Sequence, residues 1–222
     1  MSIRTIISSL DFFRSLNNEQ IDILANIANV TTYTKEYVLH YEKQRTQTLL
    51  FLVEGLAKAY KIDKHDNEIF LYYIYENSLL SEISSMNDEY LYSFSNIQLI
   101  EDSKILSLNY NTFKKEFLQK HLLCSEFANE IIHRSMQLQS LVNREFIFDS
   151  VSKVAMMIDE DVDMFNKLKR HDISLILHIQ PATLSRVLNR LKRNKIIDII
   201  HGKITIADHK ALQSVYKDEE DD

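Results

Sequence analysis

HIQPATLSRVLNRLKRNKIID, residues 178–198, holds the chain's one proline and five Lys or Arg, and from Gln180 to Ile197 there is no Asp or Glu. Pro181 fits the first turn of a helix, where its missing N–H costs nothing. Leu184, Val187, Leu188 and Leu191 then recur at steps of three, one and three, the stripe a helix buries. Thr183, Ser185, Arg186, Asn189, Arg190 and Arg193 are left on the free face. Upstream, Ile173, Ile176 and Leu177 lie on a short helix that Asp172 can start, Ser174 is small enough for a second helix to cross closely, and Ile179 falls in the turn. Two short helices with one free face make a helix–turn–helix. Downstream, IIDIIHGKITIAD, residues 196–208, reads as two short strands turned at His201–Gly202–Lys203. A basic hairpin beside such a helix is a wing.

The free face has the chemistry of a DNA reader. Arginine can form paired hydrogen bonds with guanine edges, and asparagine with adenine. Thr183, Ser185, Lys169 and Arg170 suit phosphate oxygens, which fix register without specifying sequence. Gln180, at the mouth of the helix, joins this set, and His201 and Lys203 on the wing are placed to touch the backbone.

The rest of the chain is unlike this segment. Its 222 residues are 45% hydrophobic, enough for two small domains or one large one. The net charge is −6, yet Lys167–Lys217 carries seven Lys and four Arg against three Asp, a net +8, so the remainder carries −14. A basic segment on an acidic body fits a polyanion-binding module attached to a separate domain. Cys124 is the single cysteine. That excludes an internal disulfide and, within one chain, an iron–sulfur cluster. No apolar run approaches the ~20 residues that span a bilayer. MSIRTIISSLDFF at the start lacks the core and cleavage site of a signal peptide, so a cytoplasmic protein is expected.

Residues 9–28 read as short helices, with Asn17 or Asn18 able to cap the second. From Val30 to about Leu108 the pattern is strand-like. LLFLVEGLAKAYKI (49–62) and EIFLYYIY (68–75) flank the polar turn DKHDN, a hairpin signal; YSFSNIQLI and SKILSL continue the series. With two glycines in the chain, Asn and Asp are expected in the tight turns. NYNTFKKEF (109–117) reads as a short helix, followed by a long helical stretch to about Phe146. On it Phe117, His121, Cys124, Ala128, Ile131, Ser135, Leu138 and Val142 form a mixed heptad seam, widened by Phe127, Ile132 and Met136. Small residues at Ala128 and Ser135 favour close approach of a second copy, so a homodimer is expected. Asp149 can cap the helix SVSKVAMMI, and DEDVDMFN (159–166) reads as an acidic connector. The domains are then a β sensor domain over 1–110, a dimerisation helix over 111–147, a winged helix–turn–helix over 148–217 and an acidic tail over 218–222.

In this order, DISLILHIQPA with TLSRVLNRLKRNKII resembles the recognition motif of the CRP/FNR family of bacterial transcription regulators. FFRSLNNEQIDILANIA is similar to that family's leading helices, residues 50–74 to its central hairpin, and NSLLSEIS (77–84) to its phosphate loop. The resemblance covers nearly the whole chain and implies an α+β fold: an N-terminal cyclic-nucleotide-binding-like β jelly roll, a long dimerisation helix and a C-terminal winged helix–turn–helix. It further implies binding of a near-palindromic double-stranded DNA operator by a homodimer, with RNA polymerase as a further partner and no membrane.

The departures are specific. Nucleotide-binding members have a Gly-rich loop, a Glu for the ribose and an Arg for the phosphate. Here Glu82 is the one candidate effector ligand, Ser81 and Ser84 stand where glycines would serve, and DEYLYSFSNIQ (88–98) has no Arg. A buried phosphate would be poorly compensated there, so loss of cyclic AMP binding is expected. Haem stays open as a cofactor, with His40, His121 and His133 as candidates. Pro181 and Ala182 replace two usual base readers, leaving Arg186 as the reader that carries over cleanly and Ala182 as a contact for a thymine methyl group. His178 stands where a turn glycine is frequent. Haem-based gas sensing and ligand-independent DNA binding are the alternatives. A β-barrel metalloenzyme is the remaining class, and the eight scattered histidines form no H-x-H or H-E-x-x-H pattern for it. No enzyme activity is expected.

Overall fold

The computed structural model describes residues 2–85 and 87–217. The expected acidic tail, residues 218–222, lies outside the described residues. The chain forms two compact units, Met1–Gln137 and Leu138–Asp222.

The first unit opens with α1 (Ile3–Ser9), capped by the Ser2 hydroxyl, which accepts from the Thr5 N–H. Residue spacing alone marks helices only from residue 9, so α1 lies upstream of the expected start. After a 3-10 turn at Asp11–Phe13 comes α2 (Asn18–Asn26), where Asn17 and Gln20 form a reciprocal capping box. Ten strands follow: β1 (Ala28–Tyr33), β2 (Val38–His40), β3 (Arg45–Thr46), β4 (Thr48–Glu54), β5 (Leu56–Ile62), β6 (Glu68–Tyr75), β7 (Ser78–Leu79), β8 (Leu91–Tyr92), β9 (Asn96–Leu99) and β10 (Ser103–Asn109). They build two antiparallel four-stranded sheets, ordered β1-β10-β4-β7 and β2-β9-β5-β6, with a short β3–β8 ladder. This is the jelly-roll half of the expected α+β fold.

Strand β4 shows why its sequence is apolar throughout. Its alternate residues bury opposite faces. Leu50 and Leu52 pack with Ala57, Ala59, Ile97 and Ile105 between the sheets, while Leu49 and Phe51 pack on the helical side with Leu10, Phe13 and Leu24. That second core is aromatic: Phe12, Phe13, Phe51, Phe113, Phe117 and Phe127 are linked by ring contacts at 4.9–5.8 Å between centroids.

Asn and Asp do not dominate the tight turns. Among described non-glycine residues, positive φ occurs at Asp66 and Asn77, but also at Glu36, Lys43, His121, Leu123, His178, Lys195 and His201. Tertiary bonds hold several of these: the Glu36 N–H donates to Leu99 at 2.9 Å and the Lys43 N–H to Ser93 at 2.7 Å. Fixed contacts of this kind offset a strain of order 1 kcal/mol.

Strand β10 leads into α3 (Tyr110–Phe113) and a π turn at Lys114–Leu118; α4 (Cys124–Val142) begins only after a break. The expected seam is therefore shorter. Phe117 is buried in the aromatic core, His121 precedes the helix, and Phe127 is buried in that same core rather than exposed beside the seam.

His40 is enclosed, 4% exposed, and its Nε2 has no partner among the described residues. Burial pushes its pKa from 6.5 down to about 4. The fold therefore prefers the neutral ring. Its contribution is complete above the unfolded-state value and is lost as the pH falls toward 4, a difference of about 3 kcal/mol. Unfolding measured at pH 7 and pH 4.5 should show a steep acid loss that His40→Gln flattens; identical pH profiles for the two proteins would contradict this.

The second unit contains the last turn of α4, a π turn at Asn143–Ile147, α5 (Ser150–Glu160), α6 (Val162–Lys167), α7 (Arg170–Ile176), α8 (Pro181–Arg193), β11 (Ile197–Ile200), β12 (Lys203–Ile206) and α9 (His209–Gln213). Asp149 caps α5 as expected, accepting from Val151 and Ser152 at 2.9 and 2.8 Å. The acidic connector is a correction: Asp161 caps α6, Asp163 sits in its first turn where the helix dipole favours a carboxylate, and Met164 and Phe165 are buried. The core joins Val154 and Ile158 of α5 to Phe165, Ile173, Leu184, Leu191, Ile197, Ile204 and Leu212, all buried. Asp159 secures the C-terminal residues, accepting from Gln213 Nε2 at 3.0 Å and the Tyr216 hydroxyl at 2.6 Å.

Candidate nucleic-acid interface

Helix α7 starts without a side-chain cap. Lys169 is the N-cap residue, and Asp172 lies within the first turn instead of capping it. Ser174 is buried, and its hydroxyl returns to the Arg170 carbonyl at 2.9 Å. In the following turn His178 has φ of 51°. Its Nδ1 meets Glu145 Oε2 at 2.8 Å, a contact that a glycine at this position could not make. Glu145, in the π turn after α4, also accepts from Arg144 Nε at 3.1 Å and lies 3.9 Å from Lys153. Burial pushes its carboxyl up, but the bonds from His178 and Arg144 and the Lys153 charge outweigh this and hold it below its ordinary range.

Helix α8 begins with Gln180 as N-cap residue, and its carbonyl receives the N–H groups of Thr183 and Leu184. Pro181 occupies the first turn. Leu184, Val187, Leu188 and Leu191 are buried, as the stripe predicts. Gln180, Ala182, Ser185, Arg186, Asn189, Arg190 and Arg193 are exposed, and Thr183 is half-buried. Arg186 lies along the helix, donating to the Ala182 carbonyl at 3.3 Å and to Thr183 Oγ1 at 3.2 Å. Both bonds are exposed, so the guanidinium can exchange them for a base edge at little cost. Arg190 acts on Asp149, whose carboxyl is held low first by the Ser152 backbone bond and, to a smaller extent, by Arg190.

Strands β11 and β12 pair from Ile197↔Ile206 to Ile200↔Lys203. The two residues between them, His201 and Gly202, have φ of 51° and 81°. Positive φ at both centres is the hairpin geometry that matches strand twist. His201 and Lys203 are exposed at the tip, and Lys169 is exposed before α7. Arg170, expected to meet phosphate, is half-buried and bonds within the protein: its Nη2 donates to the Gly202 carbonyl at 3.2 Å and its guanidinium lies 5.2 Å from the Phe165 ring centre. Asn166, unmarked in the sequence, bonds the Ile204 backbone twice, at 2.8 Å each.

Residues 154–215 match the sequence family described as the Crp-like helix-turn-helix domain. The match is confined to the segment that runs from α5 to the residues after α9. The Crp-like domain lies within a chain whose whole fold has counterparts among solved structures. FixK2 from Bradyrhizobium japonicum has 16% identity and a TM-score of 0.67, covering 86% of this chain and 98% of its own. A structure described as a regulator of the Crp/Fnr family from Eubacterium rectale has 17% identity and a TM-score of 0.64, covering 92% and 97%. A CooA mutant from Carboxydothermus hydrogenoformans has 16% identity and a TM-score of 0.66, covering 92% and 94%. At these identities the likeness concerns the fold. No curated protein matches the chain in sequence.

Two further regions carry expected site residues. Cys124, Ala128, Ile131, Ser135, Leu138 and Val142 are all exposed along α4, with Ile132 and Met136 beside them. In the β unit, Glu82 is fully engaged: it accepts from the N–H groups of Phe94 and Ser95 and, at 2.9 Å, from the Ser95 hydroxyl. The Ser81 hydroxyl accepts from Leu50 N–H at 2.9 Å, and the Ser84 hydroxyl from Tyr92 N–H at 3.2 Å. Arg134 of α4 donates to the Leu79 carbonyl and lies 5.1 Å from the Tyr72 ring centre. Burial pushes the Tyr72 hydroxyl up, Arg134 pulls it down and Glu82 pushes it up again. Among the described residues no three His, Cys, Asp or Glu side chains converge as a metal site.

Proposed function

We propose that the chain is a homodimeric, sequence-specific DNA-binding transcription regulator of the CRP/FNR type, without enzymatic activity. The observation that carries this is helix α8: it presents an exposed, acid-free basic face on a Crp-like helix–turn–helix domain. Arg186 and Asn189 read base edges; Ser185, Arg190, Arg193, Lys169 and the wing residues Lys203 and His201 engage phosphates. Two copies joined through α4 bring two such helices to successive major grooves about one helical turn apart. Action on DNA in the cytoplasm and contact with RNA polymerase belong to the same reading.

The sensor unit in this reading does not take cyclic nucleotides. Support comes from Glu82, whose oxygens are occupied by the 94–95 backbone and the Ser95 hydroxyl, and from the lack of Arg in residues 88–98. The same occupied network of Glu82, Tyr72 and Arg134 favours DNA binding without an effector over haem-based sensing. His40 is enclosed, while His121 and His133 are exposed. Calorimetric titration with cyclic AMP should give no binding heat, and the purified protein no Soret absorbance.

The test of the DNA reading is Arg186→Ala. Operator affinity, measured by fluorescence anisotropy at fixed salt, should fall by about 1–3 kcal/mol, with selectivity relaxed at one base pair. Unchanged affinity would show that α8 is not the reading element.

A further inference from the structure

We propose that Asn166 and Arg170 are positioning residues for the wing, fixing its height and so the share of DNA affinity that comes from phosphate contacts. This rests on the DNA-binding reading above and deepens it. A hairpin of two four-residue strands is not stable alone. Ile197 and Ile204 pack its inner face into the core, and its free edge is held not by a third strand but by a single amide. Asn166 Oδ1 accepts from the Ile204 N–H and Nδ2 donates to the Ile204 carbonyl, both at 2.8 Å. That reproduces the paired bonds a neighbouring strand would supply. It needs a donor and an acceptor on one short fork, which Asp and Leu lack.

Arg170 holds the tip. Its Nη2 donates to the Gly202 carbonyl at 3.2 Å, its guanidinium packs 5.2 Å from the Phe165 ring centre, and its Nη1 is buried away from solvent. A guanidinium placed in this way is oriented by the protein, not by DNA. Asn166 lies in the last turn of α6 and Arg170 opens α7. Because α7 packs on α8, the two anchors tie the wing to the same frame as the reading helix. His201 and Lys203 therefore reach the backbone only while both anchors hold.

The experiment uses the full chain and a duplex enriched by it from a random DNA pool, with affinity measured across a potassium chloride series. Lys203→Ala should weaken binding several-fold and reduce the slope of log K against log salt by about 0.9, the loss of one phosphate contact. Asn166→Ala removes no charge, yet should weaken binding and lower the slope similarly. Adding Lys203→Ala to Asn166→Ala should then cost nothing more, with base preference unchanged throughout. Arg170→Lys keeps the charge and should behave like Asn166→Ala. A wild-type slope in Asn166→Ala, or an equal cost of Lys203→Ala in both backgrounds, would overturn the proposal. A wild-type slope in Arg170→Lys would make Arg170 a phosphate ligand and overturn its part. Should Asn166→Ala lose its circular dichroism spectrum, Asn166→Asp, which keeps the acceptor for Ile204 N–H, decides by the same slopes. If the wild-type chain enriches no duplex, both readings fall; if it binds and the Asn166 variant matches it, only the wing proposal does.

Discussion

Leu138→Glu is expected to leave the chain monomeric and to lower operator affinity by at least ~100-fold, the scale on which linking two binding modules raises affinity. The exposed apolar face of α4 is the reason. Ile132, Met136 and Leu138 are 57%, 65% and 52% exposed, and Ile131 and Val142 stand alongside them. Ile131, Leu138 and Val142, at steps of seven and four, share one face of the helix, and an exposed apolar row of this kind marks an association surface. In a two-fold interface each substitution occurs twice, so the change would bring two carboxylates together in a site that must lose its water. With the dimer gone, each half-site is bound singly and the intramolecular second contact disappears. Sedimentation equilibrium with anisotropy titration checks both effects. A variant that remains dimeric, or a monomeric wild-type chain that binds DNA equally well, would contradict the α4 assignment.

Gly55→Ala is expected to destabilise the β unit by about 3 kcal/mol or more. Gly55 joins β4 to β5 with φ of 109°, a conformation that L side chains rarely adopt. A Cβ there would also lie 2.2 Å from Ser103 Oγ, 2.8 Å from its Cβ and 3.0 Å from its Cα. Ser103 cannot yield easily: it is buried, and its hydroxyl donates to the Glu101 carbonyl at 2.7 Å. The chain's other glycine is the control. At Gly202 φ is 81° but a Cβ would meet nothing within 4 Å, so Gly202→Ala bears the backbone strain alone, roughly 1 kcal/mol. Thermal unfolding should place Gly55→Ala about 10 °C below wild type. Equal midpoints for the two variants would remove the role given to Ser103.

What could be read in the sequence is what local spacing encodes. Pro181, the stripe from Leu184 to Leu191 and the His201–Gly202 turn each depend on neighbours within a few residues, so helix, turn and wing were legible. The apolar run of β4 pointed to a strand for the same reason. Other features depend on distant partners. Asn166 meets Ile204 across 38 positions, and Glu82 meets Phe94 and Ser95 across 12 and 13. Helix α6 was hidden because a carboxylate cap and an acidic first turn look like a solvated connector; only the burial of Met164 and Phe165 reveals it. The break before α4 lacks Gly and Pro, and its left-handed residues His121 and Leu123 carry no local warning. For the same reason Phe117 fits the heptad spacing although the helix starts only at Cys124. Arg170 reads as an ordinary exposed cation in the sequence, because the Gly202 carbonyl and the Phe165 ring reach it only through the fold.

Selection from a random duplex pool, followed by titration of the enriched DNA with wild type and Arg186→Ala, tests the central claim most directly. The account predicts enriched near-palindromes with half-sites about 10 base pairs apart, bound by the wild-type dimer and weakened at one position of each half-site by the substitution. No enrichment at about 0.1 M salt, where phosphate contacts alone still bind, or enrichment that Arg186→Ala leaves unaltered, would contradict it.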